Sequence, residues 1–233
     1  MRRHSFRHSL FAVLLSVAFA GGLVHADVRV PSADFSKIIP APPADDSPAG
    51  MADLETVLNV QKSRTEEQIK EAKRVDSQSA FGFARPVLGE WYRSEDFPEV
   101  KEMIHELAHA ANEVCEAAKK HWNRPRPYQR DPRVEPVTGR PGNASYPSGH
   151  SFGATFWSII YAEAFPEYAK EFDEQAQRAM WGRVIAGVHY PTDTTAGYIL
   201  AHAVGEKMLQ DPEVKKKIRK IREEIERKRP KAE

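Results

Sequence analysis

Cysteine is almost missing from this chain. Cys115 stands alone, so no intrachain disulfide can staple the fold, and stability has to come from a buried core. Long apolar runs are scarce as well. Beyond residue 26 no stretch approaches the ~18 consecutive apolar residues that a bilayer-spanning helix needs, which excludes a multi-pass membrane protein. Alternating strand patterns are rare, and no internal repeat is present. An excess of one charge is missing too: 34 Lys and Arg face 33 Asp and Glu. Without a global basic field the chain is not a nucleic-acid binder, and any affinity for anions must be local.

What is present begins with an export signal. Arg2, Arg3 and Arg7 precede an apolar run from Leu10 to Val24 that ends in Val24-His25-Ala26, so residues 1–26 read as a signal peptide cleaved after Ala26. The Arg2-Arg3 pair raises the twin-arginine route, but its surroundings match that signal poorly and the ordinary secretory route is preferred. Cleavage removes three arginines and no acid, taking the formal charge from +1 to −2. The expected location is periplasmic, for a soluble chain with one core and no membrane insertion. Residues 27–49 carry prolines 31, 40, 42, 43 and 48 and read as an extended Pro-rich arm, draped over the body or over a neighbouring subunit. Residues 50–210 form the folded domain. Residues 211–233, with ten Lys/Arg against six Asp/Glu, read as a charged, solvated helical tail.

Within the domain the apolar spacing is helical. Leu54, Val57 and Leu58 share a stripe, and Thr65 with Gln68 predicts a capping box. From Pro98 onward, Val100, Ile104, Leu107, Ala108, Ala111, Val114, Cys115 and Ala118 recur at steps of three and four, which predicts a central helix ending near Lys119, with Pro125 and Pro127 beyond it. Residues 131–146 hold three prolines and two glycines and read as a long irregular loop. Further helices are expected over about 151–164, 167–186 and 194–209. The fold class is all-α, a single-domain helical bundle.

Three clusters carry the chemistry. The first joins Lys119 to Arg126-Pro127, two cations close to two helical turns apart. In the second, Pro147-Ser148-Gly149-His150, Ser148 suits an N-cap, Gly149 admits a ligand to the backbone, and the helix start favours an anion. The third holds Arg183, His189 and Asp193, where a carboxylate four residues after a histidine can hold one ring nitrogen and leave the other free. Each cluster alone also has a plain reading, respectively a solvated helix end, a capped helix, and a structural histidine beside a capping aspartate. Together they supply three cations, two histidines and a carboxylate. Phosphoryl transfer needs such a set, because its transition state carries charge on three equatorial oxygens.

In order and spacing the clusters resemble the type 2 phosphatidic acid phosphatase (PAP2) superfamily: Lys, six residues, Arg-Pro; then Pro-Ser-Gly-His; then Ser-Arg, five residues, His, three residues, Asp. The closest likeness is to bacterial class A non-specific acid phosphatases. The serine of that pattern is Gly182 here, which removes one hydroxyl beside the site but no charge. The resemblance implies that His189 is the nucleophile, that Asp193 orients it and that His150 exchanges a proton with the leaving alcohol. Lys119, Arg126, Ser148, Gly149 and Arg183 would bind the phosphate. It implies a secreted acid phosphatase acting on small phosphomonoesters, with an acidic optimum, no cofactor and no metal, in a homo-oligomer. A vanadate-dependent haloperoxidase shares the same pocket and is the alternative enzyme. A non-catalytic anion-binding helical protein is the alternative from another class.

Overall fold

Ser47, Thr65, Ser79, Ser148 and Asp211 each turn a side-chain oxygen onto a backbone N–H two or three residues into the helix that follows, so five helix starts are set by short polar side chains. The computed structural model describes residues 34–230, and the expected signal peptide lies outside them. Ten α-helices follow in order: α1 Phe35–Ile38, α2 Pro48–Ser63, α3 Glu66–Asp76, α4 Ala80–Leu88, α5 Pro98–Trp122, α6 Pro127–Arg130, α7 Gly149–Ala164, α8 Ala169–Ile185, α9 Pro191–Met208 and α10 Pro212–Lys228. The described residues contain no strand. The all-α reading therefore holds, and the capping box at Thr65 and Gln68 is formed.

Helix α7 sits at the centre, packing most extensively on α8 and α9 and also on α5, α4 and α10. It is apolar on most sides, and Phe152, Phe156, Ile160 and Tyr161 are buried. The expected stripe of α5 faces the same core, from Val100 and Ile104 to Cys115 and Ala118. Each large aliphatic side chain buried in this way contributes about 1.5–3 kcal/mol. Helix α5 stops at Asn123, which takes the left-handed conformation (φ 43°) two residues before Pro125.

Three sequence expectations need correction. The described part of the expected tail, residues 211–230, is not a solvated one. Val214, Ile218, Ile221 and Ile225 lie at steps of four, three and four, and α10 buries all four against the core while its charges face outward. The described part of the Pro-rich arm, residues 34–49, is not simply extended: it forms α1 and packs on the body, since Ile39 is buried and the Tyr146 hydroxyl donates to the Pro40 carbonyl at 2.6 Å. Helix α4 was not anticipated. It brings Phe81 and Phe83 into an aromatic cluster with Tyr92, Tyr161 and Phe172, in which Phe81 and Tyr92 stack at 4.5 Å.

Two glycines place the later motifs. Gly187 has φ 73°, a conformation that suits glycine, and turns the chain sharply from α8 toward His189. At Gly197 a Cβ would lie 2.5 Å from the Ser148 carbonyl oxygen, so only glycine lets α9 press on the start of α7. That approach puts the Ser148 N–H 2.9 Å from the Asp193 carbonyl, tying the second cluster to the third.

Candidate active site

The last turn of α5 carries Lys119 inward. Its side chain is buried, and Nζ donates to the Ala144 carbonyl at 2.8 Å. Arg126, just before α6, is equally buried and is held by the 131–146 loop: Nε donates to the Asn143 carbonyl (2.9 Å) and Nη2 to Asn143 Oδ1 (2.7 Å). Neither Lys119 nor Arg126 forms an ion pair among the described residues, although each is only 3% exposed. Buried cations without counter-charges are costly, so this corner favours an anion.

His189 lies against them, buried after the Gly187 turn. Arg126 Nη1 is 3.1 Å from His189 Nε2. Since a guanidinium can only donate, Nε2 accepts, and the ring proton belongs on Nδ1. Nδ1 faces Asp193 Oδ2 and Ser145 Oγ, both at 3.3 Å. Burial first, and then the charges of Arg126, Lys119 and Arg183, hold this imidazole well below its ordinary 6.5, so the ring is neutral.

Asp193 is in the first turn of α9 and combines the two roles that the sequence left as alternatives. Its Oδ2 accepts the Tyr190 N–H (2.9 Å), a capping contact, and the Ser145 hydroxyl (2.5 Å), while facing His189. Its Oδ1 accepts from Arg124 Nη1 at 2.7 Å. Burial raises the carboxyl above its ordinary 3.8, and Arg124, Ser145 and the Tyr190 N–H pull against that rise.

Ser148 is buried at the N-cap of α7, where its Oγ accepts from the Ser151 N–H (3.3 Å) and hydroxyl (3.0 Å). Gly149 opens that helix beside Lys119, whose Cε would stand 3.4 Å from an added Cβ. His150 follows on the rim, its side chain 41% exposed, with Nε2 3.1 Å from the Asp76 carbonyl. Partial burial and the nearby Arg183 pull its imidazole down to about 4. Arg183, near the end of α8, is fully buried. Its Nη1 donates to Asp76 Oδ1 at 2.5 Å, while Nε and Nη2 have no partner.

Lys119, Arg126, Gly149, His150 and His189 line one cavity of about 460 Å³, whose outer wall includes Phe152, Phe156 and Trp157. Residues from three distant segments thus converge. Among the described residues no three His, Cys, Asp or Glu side chains are grouped to hold a metal ion, and the groups that face the cavity are mainly basic.

The profile of the PAP2 superfamily matches residues 106–213. A non-specific acid phosphatase of Salmonella typhimurium is 30% identical over 195 residues, covering 80% of this chain and 78% of that protein. The chain belongs to the PAP2 superfamily. Among solved structures, a bacterial vanadium-dependent iodoperoxidase matches with a TM-score of 0.60 at 19% identity, over 76% of this chain and 53% of its own length. A transmembrane PAP2-type phosphatidylglycerolphosphate phosphatase from Bacillus subtilis matches with a TM-score of 0.52 at 17% identity, over 71% of this chain and 87% of its own. At those identities the likeness is one of fold. No helix among this PAP2 chain's described residues is long and apolar enough to cross a membrane.

Around the PAP2 motifs the structure adds residues that the sequence did not single out. Arg124 bridges Asp193 to Asp53 of α2 (Nη2 to Oδ2, 2.8 Å), donates to Thr192 Oγ1 and stacks over the Tyr190 ring at 4.0 Å. Ser145 joins Asp193 to His189, Asn143 holds Arg126, and Asp76 joins Arg183 to His150. Ser145 and Asn143 stand in the Gly-Asn-Ala-Ser-Tyr lead into Pro147. Asp53 and Asp76 lie on α2 and α3, far outside the motifs, and no sequence pattern points to them. Gly182, by contrast, does not itself line the cavity: an added Cβ would meet, at 3.6 Å, the side chain of Val75, which does.

Proposed function

We propose that this protein is a secreted acid phosphatase that hydrolyses small phosphate monoesters through a phosphohistidine and without a metal. The observation that carries the reading is the pair of buried cations without counter-ions, Lys119 and Arg126, set against an unprotonated His189 Nε2. The phosphoryl group would sit among Lys119, Arg126, Arg183, the Ser148 hydroxyl and the Gly149 N–H. His189 Nε2 attacks phosphorus, the P–O bond to the alcohol breaks, and His150 gives its proton to the departing oxygen. Asp193 stabilises the imidazolium formed on His189. In the second half a water attacks the phosphohistidine, His150 takes its proton, the N–P bond breaks, and inorganic phosphate leaves.

The surroundings of the two histidines bear on this assignment. His189 must enter neutral, which its burial and the surrounding cations favour, whereas His150, held at about 4 in the substrate-free site beside the Asp76 carboxylate, must enter protonated. A dianionic substrate raises both, so the rate is expected to follow a bell with an acidic optimum. The acid phosphatase relatives support the activity, and the signal-like N-terminus supports export to the periplasm. Assembly into a homo-oligomer rests on the resemblance.

The test is hydrolysis of p-nitrophenyl phosphate at pH ~5–6, just below the reference histidine value, in the presence of a chelator. Native protein is expected to turn over and to form an acid-labile phosphoenzyme on rapid quench. His189→Ala is expected to lose more than the ~100–1,000-fold that one oxyanion contact contributes. No hydrolysis at any acidic pH would leave only the anion-binding reading, and bromination with vanadate and peroxide in its place would favour a haloperoxidase.

A further inference from the structure

Arg183 is an unusual buried cation, because its three donor positions are divided. Nη1 is taken by Asp76 Oδ1 at 2.5 Å, whereas Nε and Nη2 are buried with no partner. Asp76 is the last residue of α3, and its side chain is 32% exposed at the rim. The same residue's backbone carbonyl lies 3.1 Å from His150 Nε2, and its carboxylate Oδ1 lies 3.9 Å from that nitrogen.

We propose that Asp76 is a positioning residue of this site: its carboxylate fixes one edge of the Arg183 guanidinium while its carbonyl anchors the His150 ring, so that one point on α3 aligns a phosphate-binding cation with the proton donor. The proposal rests on the phosphatase reading. With Nη1 occupied, Arg183 can turn only its Nε and Nη2 edge toward phosphoryl oxygens, a paired presentation that suits a tetrahedral anion. A carbonyl can only accept, so His150 Nε2 carries a proton and Nδ1 is left as the nitrogen that takes up and releases one. The carboxylate nearby stabilises the protonated ring against the cations around it.

Those cations come from several elements. Arg183 from α8 and Arg126 from before α6 act on His150, and Lys119 from α5 lines the same cavity, with His189 in the turn before α9. On the acidic side stand Asp76 and, lining the same cavity from α5, Glu116. Asp193 faces His189, whereas Asp76 is the carboxylate whose Oδ1 stands 3.9 Å from His150 Nε2, so its charge sets how far up in pH His150 stays protonated.

Asp76→Asn removes that charge while leaving the backbone carbonyl and an acceptor for Arg183. The experiment is a nitrogen-resolved NMR titration of the His150 ring in native and variant protein, together with the pH profile of kcat/KM. In the variant, the His150 pKa and the alkaline limb are both expected to move down by about one pH unit. Asp76→Glu, which keeps the charge, is expected to restore the limb while kcat stays at least several-fold low, since the longer side chain displaces Arg183. An unmoved His150 titration and an unmoved limb in Asp76→Asn would overturn the proposal and leave Asp76 as a tether for α3. The ring titration needs no turnover, so a native protein that hydrolyses nothing would sink the phosphatase reading without deciding this one.

Discussion

Arg124 Nη1 lies 2.7 Å from Asp193 Oδ1, and both side chains are shut off from solvent. The guanidinium also holds Asp53, so one cation is shared by two buried carboxylates. Removing one partner of a buried ion pair costs about 3–5 kcal/mol, because the other charge is left uncompensated. Arg124→Met should lower the urea midpoint accordingly. It should also lower kcat at every pH, since a protonated Asp193 no longer supports the imidazolium of His189. Native stability in that variant would mean that the pair contributes nothing.

Acid should destabilise the substrate-free protein well before ordinary carboxylates titrate. His150 is held at about 4 and His189 well below 6.5. As pH falls through about 6.5 the unfolded chain takes up protons that the folded state excludes, so stability is full above that value and declines toward pH 4. Asp193, raised by burial, works the other way, one carboxyl set against two imidazoles. The thermal midpoint should therefore be level between pH 7 and 8 and fall by pH 4.5. Inorganic phosphate should recover more of it at pH 4.5 than at pH 7.5, with up to about 2.7 kcal/mol available at a hundredfold excess over Kd. A midpoint that rises on acidification would contradict the burial of the two rings.

Gly182 stands where the superfamily pattern has serine, inside α8, with the Val75 side chain nearest to where a Cβ would lie. An added methyl meets ordinary van der Waals spacing, and a helix-interior glycine is destabilising by roughly 0.5–1 kcal/mol relative to alanine. Gly182→Ala should raise stability by about that amount in urea titrations and leave KM unchanged. A destabilised variant would show that α8 has no room at this point.

Ile221, at the middle of the α10 stripe, is fully buried. Ile221→Ala should cost about 2–5 kcal/mol, read as a lower thermal midpoint with far-ultraviolet helicity retained below it. A change under 0.5 kcal/mol would restore the solvated-tail reading of this segment.

How much of this was legible depended on which interactions are local. The α5 stripe follows from steps of three and four, so its helix and its delivery of Lys119 could be read directly. The convergence of Arg126 on His189 could not, because it depends on the Gly187 turn and on the 131–146 loop, whose backbone and Asn143 side chain hold the guanidinium. The buried face of helix α10 was hidden by composition: eight basic residues in the helix masked four apolar ones at helical spacing. Asp53 and Asp76 were invisible for a further reason. Each is an acid on an amphipathic helix, indistinguishable in sequence from its solvated neighbours until tertiary packing sets it against an arginine.

The superfamily match spans residues 106–213, yet anchors of the buried Arg124 and Arg183 and part of the core lie beyond it. Asp53 and Asp76 come from upstream, and Ile218, Ile221 and Ile225 from downstream. The recognisable stretch is therefore not an autonomous folding unit. Excised by itself, it would keep every signature residue and lose the counter-charges and the apolar cover that hold them in register, so domain-swapping between relatives must carry the flanking helices along.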